Sequence, residues 1–484
     1  MTISGALNNA MTGLRAAGRA TQVVSSNLSN ALTEGYGVRS LELSSQSMGG
    51  LGGVRIDGIT RNVDPALIAD RQMASAAYAN QRTTLNFMSA LDRLVGTPDQ
   101  VGALTQQISA FETSLITAAS RPDAPDRLAT AVNSARDLAT TINRGSTGIQ
   151  EQRTQADGSI AEQVTRLNSA LSELQTLNGQ ITKAHMRGAD NTSFRDFQQK
   201  LVDEISMIVP VKTVLRPNGA IALFTSAGSA LLDGKAAEVG FEPVNLVGAG
   251  MSLEAGSLSG LTVNGVNVRT GPDNGALRGG SLSAQFEVRD HLAPQAQKQL
   301  DAVARDLIER FETLAPRSPM GDPLPGLFTD NSNRFDALDE IGLAGRLSIN
   351  QLVDPNRGGE TWRLRDGLDA TTPGEVGNAT ILQSLGDVMS VARQPASGEF
   401  GTGSLTAVNM SSSMISLFAS DRTNNEQHLS FASVQLNELT QQELANGVDS
   451  DAELQRLILI EQAYAANARM IQTVDEMMQT LLRI

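Results

Sequence analysis

The chain has 484 residues, enough for about three domains of ordinary size. Its 38 basic and 52 acidic residues give a net charge of −14, which argues against binding to nucleic acid or to an anionic membrane, because both require clustered Lys and Arg. The lack of cysteine excludes disulfides and cysteine nucleophiles, and three scattered histidines argue against a His-rich metal site. With 40% hydrophobic and 4% aromatic residues, the composition favours long seams of small aliphatic side chains over one large core.

No targeting or membrane segment is visible in the sequence. Residues 1–14 lack a basic start, a continuous apolar run and a cleavage site, so we predict no cleaved signal peptide. Nowhere do 18 apolar residues follow one another without interruption, so we also predict no membrane insertion. A cytoplasmic location and export without a signal peptide both stay open.

The two ends of the chain carry the same helical pattern, in which apolar or small residues alternate at spacings of four and three. Such a heptad packs one helix against another. Isolated helices of this length are marginal in water, so we predict that they gain most of their order from each other or from other copies of the chain. A helical hairpin within one monomer is the alternative. The predicted self-assembly seam consists of Ile3, Leu7, Leu14, Val24, Leu28, Leu457, Ile460, Tyr464, Asn467, Ile471, Val474, Met478 and Leu481.

The middle of the chain begins with helical patterns over residues 66–208. One apolar stripe ends at Gly96-Thr97-Pro98, and a long helix is predicted to begin after Pro125 and to tolerate Gly145 and Gly158. Several long amphipathic stripes in succession predict a helical bundle.

The pattern changes to short strands after Pro210. Residues 211–215 and 221–224 flank the turn signal Pro217-Asn218-Gly219, and a second hairpin is predicted around Asn264-Gly265. Helix returns over 290–315, strands are predicted at 347–349 and 361–364, and helix resumes near Val376 and from about 405 to 444. Residues 316–325 read as a loop.

The predicted fold class is therefore mainly α with an inserted antiparallel β domain, combining terminal coiled-coil helices with an elongated helical bundle. The predicted domains are a terminal coiled-coil assembly domain at 1–55 and 445–484, a helical bundle domain at 56–209, 285–316 and 376–444, and an inserted β-rich domain at 210–284 and 317–375.

A search for catalytic and ligand-binding motifs finds none that is complete. There is no phosphate-binding loop, no His-Glu-x-x-His zinc motif and no nucleophile elbow. Asp330 begins a segment like a calcium loop, but Phe335 stands where the turn needs glycine and Ile341 where a bidentate glutamate is needed. We therefore predict no catalytic, cofactor or metal site, and a protein that is not an enzyme.

The two ends resemble a known family. Ser25-Ser-Asn-Leu-Ser-Asn30-Ala31, followed by Thr33-Glu-Gly35-Tyr36, resembles the N-terminal signature of bacterial flagellar axial proteins, and 461–477 with 480–482 resembles their C-terminal signature. Glu34 replaces the usual proline and Gly37 a usual polar residue, so we expect a more flexible turn. The signature residues are Asn27, Asn30, Thr33, Gly35 and Tyr36.

The long helical middle resembles the hook-associated protein 1 family, the hook–filament junction proteins. Three internal matches support this choice: Gly53-Val54 leading to Ile59, Arg61, Asp64 and Leu67, then Arg121-Pro122 with Arg127, and Gly279-Gly280 followed by Arg289-Asp290. The resemblance covers nearly the whole length and is least specific in the β insertion.

The resemblance implies a structural role and a place for each domain. In this family the terminal helices are disordered in the free subunit and form the inner wall of a tube on assembly, with the helical body as the next shell and the β insertion outermost. Asn467 would either fix the register of the seam or face the lumen.

The implied partners are other copies of the chain in a ring, the hook protein, a second junction protein or flagellin on the filament side, and a flagellar export chaperone. The implied location is the extracellular hook–filament junction of the flagellum, reached from the cytoplasm by type III export without a cleaved signal peptide.

Three alternatives remain at this stage. A flagellar hook or distal-rod subunit has similar ends but passes quickly into β domains. A secreted coiled-coil binding module or chaperone would have stably ordered terminal helices in the monomer. A secreted enzyme would need a convergent polar cluster within roughly 210–375, where no motif is found.

Overall fold

The computed structural model describes residues 3–33, 35–45, 52–96, 100, 102–315 and 324–483. The departure at Glu34, the helix-stop residues Thr97-Pro98 and most of the loop expected over 316–325 lie outside the described residues. The helices are α1 (Ile3–Ser29), α2 (Pro65–Val95), α3 (Leu104–Ser120), α4 (Pro125–Met186), α5 (Thr192–Ile208), α6 (Ser281–Glu287), α7 (Ala293–Glu312), α8 (Leu343–Arg346), α9 (Arg363–Asp366), α10 (Thr380–Ser390), α11 (Ala407–Ala445) and α12 (Ser450–Leu482).

The strands form four small antiparallel sheets, ordered β1-β2, β3-β4-β5-β6, β7-β8-β9 and β10-β11. Their bounds are β1 (Val38–Ser45), β2 (Val54–Asn62), β3 (Val211–Leu215), β4 (Ile221–Thr225), β5 (Ala230–Asp233), β6 (Lys235–Ala236), β7 (Val239–Gly240), β8 (Leu261–Val263), β9 (Val266–Val268), β10 (Phe328–Asp330) and β11 (Leu347–Ile349). The fold is therefore mainly α with inserted β structure, as the sequence predicts.

The long helix α4 is the central element of the molecule. Pro125 stands at its first turn, where the missing N–H costs nothing, and its 62 residues span about 90 Å. Gly145 and Gly148 are tolerated because Leu300 and Leu94 pack directly over them. Along its length α4 contacts most other elements of the body.

Among the described residues, buried apolar side chains form two separate clusters along α4. The first cluster joins the N-terminal half of α4 to α2, α3, α7, α10 and the start of α11, and also takes in β10 and β11. The second cluster joins the C-terminal half of α4 to α5, α6 and the strands β3 to β8. We call these the first core and the second core.

The helices α2 and α11 form an antiparallel pair with an ion pair at each end. Arg71 at the start of α2 binds Glu443 at the end of α11, and Asp92 at the end of α2 binds Arg422. Beyond Phe418, α11 leaves the first core and packs mainly on α2.

The structure divides the predicted inserted β domain. Residues 210–284 pack in the second core, whereas the segment with β10 and β11 packs on α7 in the first core, because Phe328 stacks edge-on against Phe311 and Phe111. The predicted boundary at residue 55 falls inside β2, which pairs with β1 along its whole length. The predicted strand at 361–364 is wrong, because Arg363–Asp366 forms a short helix that ends at Gly367, with φ of 108°.

Asp301 in α7 is a buried carboxylate whose protonation affects stability. It accepts bonds from the backbone amides of Gly342 and Ala344, each at 2.8 Å, and from the Gln297 side chain. Burial raises the pKa of Asp301 from 3.8 to about 6, although these hydrogen bonds oppose the shift.

The raised pKa of Asp301 predicts a pH-dependent stability. Because the folded protein binds this proton more tightly than the unfolded chain, the contribution to the free energy of unfolding rises by about 1 kcal/mol as the pH falls from 7 to 5. We expect denaturant titrations at both pH values to show this gain in the wild type relative to Asp301→Asn. A difference of opposite sign would mean that the hydrogen bonds outweigh burial.

Candidate assembly site at the terminal helices

The terminal helices α1 and α12 pack against each other in antiparallel directions. Gly13 in α1 lies against the Asn467 side chain in α12, where an added Cβ would come within 2.8 Å of its Nδ2 atom. An adjacent face of α1 packs on β1 and β2, and the Thr12 hydroxyl accepts a hydrogen bond from the Val54 amide at 3.3 Å. α1 is thus held between α12 and the β1-β2 hairpin.

Asn27 joins the end of α1 to the start of β1. Its side chain is fully buried, and its Oδ1 atom accepts bonds from the Arg39 amide at 3.0 Å and from the Tyr36 hydroxyl at 2.8 Å. Its Nδ2 atom donates to the Arg39 carbonyl at 2.9 Å. Burial raises the pKa of the Tyr36 phenol, so the hydroxyl remains a donor at neutral pH. The Asn27 side chain therefore bonds the amide and carbonyl of Arg39 in the way that a neighbouring β-strand would.

The other signature residues shape the turn between Asn27 and Tyr36. Asn30 donates to the Ser26 carbonyl at 2.9 Å, and the Thr33 hydroxyl donates to the Asn30 side chain at 3.3 Å. Gly35 has φ of 77°, in the left-handed region that glycine adopts without strain. The structure thus brings all five signature residues into one connected turn.

A carboxylate of α5 ties this turn to the helical body. Asp196 accepts bonds from Arg39 at 2.8 Å and from Arg61 at 2.7 Å, and also from the Gly37 amide at 3.1 Å. The three side chains are largely buried, so the pairs are less screened by water than exposed ones. Arg39 also lies over the Tyr36 ring, 4.9 Å from its centroid.

The polar network continues from Arg61 into the α2-α11 pair. Arg61 donates to the Gln199 side chain, which donates in turn to Glu443 at 2.9 Å. Arg71 bridges Glu443 and Asp203, the latter at 2.7 Å. Burial raises the pKa of Asp203 against the opposing effect of Arg71. We call this chain of side chains, from Asn27 to Asp203, the terminal network.

The seam residues differ in what they contact. Within α1, Val24 is buried, Ile3, Leu7 and Leu14 are half-buried, and Leu28 is exposed. Within α12, Val474 is buried, while Leu457, Ile460, Asn467 and Ile471 are half-buried. Tyr464, Met478 and Leu481 remain exposed. Asn467 therefore faces α1 in the single chain.

No pattern in the sequence marks Asp196, Asp203 or Glu443 as members of this site. Asp196 lies 157 positions from Arg39 and 135 from Arg61, so no local pattern links them. Arg39 and Arg61 stand directly opposite each other in the β1-β2 register, but no regular alternation of apolar and polar residues marks the two strands in the sequence.

The described residues contain no group of His, Asp and Glu side chains arranged to hold a metal ion. Asp330, at the start of the calcium-like segment, is bound by Arg346 at 2.8 and 2.9 Å. In the same part of the chain, no helix is both long enough and apolar enough to cross a membrane.

The Asn27 clamp gives a direct prediction. Asn27→Ala leaves the Arg39 amide and carbonyl without their buried partner, and each such loss costs roughly 1–3 kcal/mol. We expect hydrogen exchange at the Arg39 amide to become at least about tenfold faster. Asn30→Ala, whose side chain bonds only within its own turn, should leave exchange at Arg39 nearly unchanged. Equal effects of both substitutions would contradict the clamp.

Comparison with family models matches three segments of the chain. Residues 88–316 match the model described as "Flagellar hook-associated protein FlgK helical domain". Residues 7–36 match "Flagella basal body rod protein", and residues 444–484 match "Flagellar basal body rod FlgEFG protein C-terminal". The matched segments thus include most of α1 with the signature turn, the part of the body from the end of α2 through α7 with the strands β3 to β9, and α12.

Curated relatives carry the name "Flagellar hook-associated protein 1". The Salmonella typhimurium protein is 27% identical over 244 residues, covering 49% of this chain and 44% of that protein. The Escherichia coli protein is 24% identical over 320 residues, covering 64% and 57%. The chain thus spans about half the length of these two relatives. The Bacillus subtilis protein is 22% identical over 521 residues, covering 98% of this chain and 97% of that protein.

A solved structure, "The structure of the flagellar hook junction protein FlgK from Burkholderia pseudomallei", matches with 22% identity and a TM-score of 0.44. It covers 56% of this chain and 49% of that one. The matching family models and the curated relatives agree with each other and with the resemblance found in the sequence. The chain is similar to flagellar hook-associated protein 1 in its helical body and to flagellar rod proteins at its two ends.

Proposed function

We propose that this protein is a structural, self-assembling component of the bacterial flagellum that forms the junction between hook and filament, and that it is not an enzyme. One observation carries the proposal. A helical domain that matches hook-associated protein lies between two ends that match rod proteins, and the structure folds those two ends onto each other.

The exposed side of α12 supports self-assembly. Ile458, Leu459, Met477 and Leu481 are each at least half exposed, although α12 already buries another face against α1. Large apolar side chains on one side of an exposed helix are typical of a surface that meets a partner. The seam from Ile3 to Leu481 would therefore hold α1 against α12 within one chain and would also contribute to contacts between copies.

The proposed partners follow from this role. Copies of the chain form a ring, with the hook protein on one side and a second junction protein or flagellin on the other, and an export chaperone binds the chain beforehand. The protein is exported from the cytoplasm without a cleaved signal peptide and resides in the extracellular flagellum. Residues 1–55 and 445–484 would form the inner assembly domain, and 210–284 would lie outermost.

Deletion of the gene tests the proposal. We expect electron microscopy of the deletion strain to show hooks without filaments, and immunoblots to detect flagellin as monomer in the medium. Complementation with the wild-type gene should restore filaments. Normal filaments in the deletion strain would refute the proposal.

A second candidate function is a hook or distal-rod subunit, which the rod-protein matches at both ends favour. The helices between Pro65 and Ile208 favour the junction role instead, because they give this chain a large helical body after the N-terminal signature and the β1-β2 hairpin. The deletion strain separates the two, since loss of a rod or hook subunit would remove the hooks themselves.

A further inference from the structure

The first and second cores meet at a narrow level of the molecule. In α4 the last residue of the first core is Ala156 and the first residue of the second core is Ile160. A second helical path runs from α6 into α7, where Phe286 belongs to the second core and Val288 to the first. Helix α2 also spans this level, since its C-terminal half lies in the first core and its N-terminal half packs on α5 and α6. We call this level, residues 153–159 with 286–292, the waist.

Two of these paths, α4 and the α6-α7 connection, have a weak point at the waist. Gly158 in α4 has no atom within 4 Å of where a Cβ would lie, so no close packing requires a glycine there. Glycine inside a helix is less favourable than alanine, because it orders a more flexible backbone. In the second path, residues Val288–Leu292 form a π-helical turn between α6 and α7, an irregularity that often marks functional positions.

Buried polar side chains, packed against the Phe286 ring, hold the waist together. The Arg289 guanidinium donates to Asp157 at 2.7 Å and to Asp290 at 2.8 Å, and the side chains of Arg289 and Asp157 are fully buried. Arg153 donates to the carbonyls of Gly248 at 2.9 Å, Met251 at 2.7 Å and Arg289 at 3.0 Å.

These contacts also fix the segment that follows β7. The second Asp157 oxygen accepts from the Val244 amide at 2.6 Å, and Arg289 donates to the Ser259 carbonyl at 2.9 Å. Hydrogen bonds of this kind are directional, so they select one geometry of the waist. Their net contribution to stability is smaller than that of apolar packing, since both charges lose hydration on burial.

We infer that the waist is a hinge, held in one geometry by the buried Asp157–Arg289 pair, about which the two cores can reorient while each stays folded. Reorientation there breaks polar contacts, bends α4 and the α6-α7 path at their weak points and shifts α2 against α5 and α6. It leaves the apolar contacts within each core intact. The inference concerns the chain itself and does not depend on the proposed flagellar role.

Distances between spin labels in the full chain test the hinge, since the sequence has no cysteine of its own. One pair crosses the waist, from Gln383→Cys in α10 to Lys235→Cys in β6. A second pair, Gln383→Cys with Asp137→Cys in α4, stays within the first core. All three positions are exposed.

Asp157→Asn weakens the buried pair with Arg289, while Arg289 keeps Asp290 as a partner. We expect it to broaden the cross-waist distance distribution by about twofold and to leave the distribution within the first core unchanged. Adding Gly158→Ala should narrow the cross-waist distribution again, because alanine stiffens the helix at the weak point. Gly179→Ala is the matched control, since Gly179 also lies in α4 with no atom within 4 Å of an added Cβ, but away from the waist.

An unchanged cross-waist distribution in folded Asp157→Asn would overturn the inference, as would equal narrowing by Gly179→Ala. If Asp157→Asn does not fold, the hinge is tested instead by hydrogen exchange in chains that carry only Gly158→Ala or only Gly179→Ala. Gly158→Ala should slow exchange of the α4 amides at 158–162 about fivefold, and Gly179→Ala should leave them unchanged. No slowing at these amides would overturn the inference.

Discussion

Removing residues 1–30 or residues 457–484 is expected to abolish assembly into the flagellum while the remaining chain stays folded. Both hydrophobic cores lie between Phe87 and Phe418, so neither deletion removes a core residue. Each deletion does remove one member of the α1-α12 pair and exposes the face that the other member buries. A single helix of this length is marginal in water, so the surviving partner should lose its order.

Three measurements on the truncated proteins check this expectation. Electron microscopy of complemented deletion strains reports filaments, immunoblots of the medium report whether the chain leaves the cell, and calorimetry of the purified protein reports folding. We expect no filaments, with a thermal transition close to that of the full chain. Normal filaments with either truncation would contradict the role of the terminal helices in assembly. Loss of the thermal transition would contradict the expectation that both cores fold without the terminal helices.

Substitution of Arg310 by methionine is expected to cost the first core about 3–5 kcal/mol, because it breaks a buried ion pair and leaves polar groups unpaired. The Arg310 side chain is fully buried and donates to Asp306 at 2.6 Å. It also donates to the carbonyls of Val388 at 2.8 Å, Val391 at 2.6 Å and Leu405 at 2.9 Å. One guanidinium thus joins α7 to the end of α10 and to the segment that leads into α11.

Denaturant unfolding, followed by circular dichroism, measures this loss. The matched control is Arg334→Met, since Arg334 is half exposed and its Nε atom lies 3.5 Å from Glu312. Exposed pairs of this kind contribute at most about 1 kcal/mol. A similar loss in both variants would show that the buried carbonyl contacts of Arg310 add little.

The long helices could be predicted because their signals are local. In α4, Pro125 marks the start, and Ile160, Val164, Leu167 and Leu171 recur at helical spacing and are all buried. The end of α2 was equally readable, since Gly96 has φ of 74° and follows the last apolar residue of the stripe. Such signals depend only on neighbours within a few positions.

The β1-β2 hairpin could not be predicted in the same way, because half-buried and exposed residues occur on both of its faces and none is fully buried. Leu43 and Ile56 stand opposite each other in register, yet both remain exposed, so no clear alternation of apolar and polar residues appears. A register shift between Glu42 and Leu43 interrupts the pattern further. The hairpin owes its place to α1 and to Asp196.

The terminal network and the waist were beyond sequence reasoning for a different reason. Arg289 and Asp290 stood out only as part of a family resemblance, and their role depends on Asp157, 132 positions away from Arg289. Charged residues at such separations are ordinary in a soluble chain until the fold brings them together. Burial, which gives these pairs their importance, is a property of the folded chain alone.

The pairing of α1 with α12 has a consequence for the order of events in folding. Roughly 420 residues separate the two helices along the chain, so their contact closes one of the longest loops that the molecule contains. Contacts of such high order form late, after the local helices and both cores. A ribosome or an export channel releases the chain from one end, so α1 cannot pair with α12 until α12 has emerged. The surface that α1 and α12 form together therefore exists only after α12 has emerged. A partly emerged chain lacks this surface and cannot yet assemble.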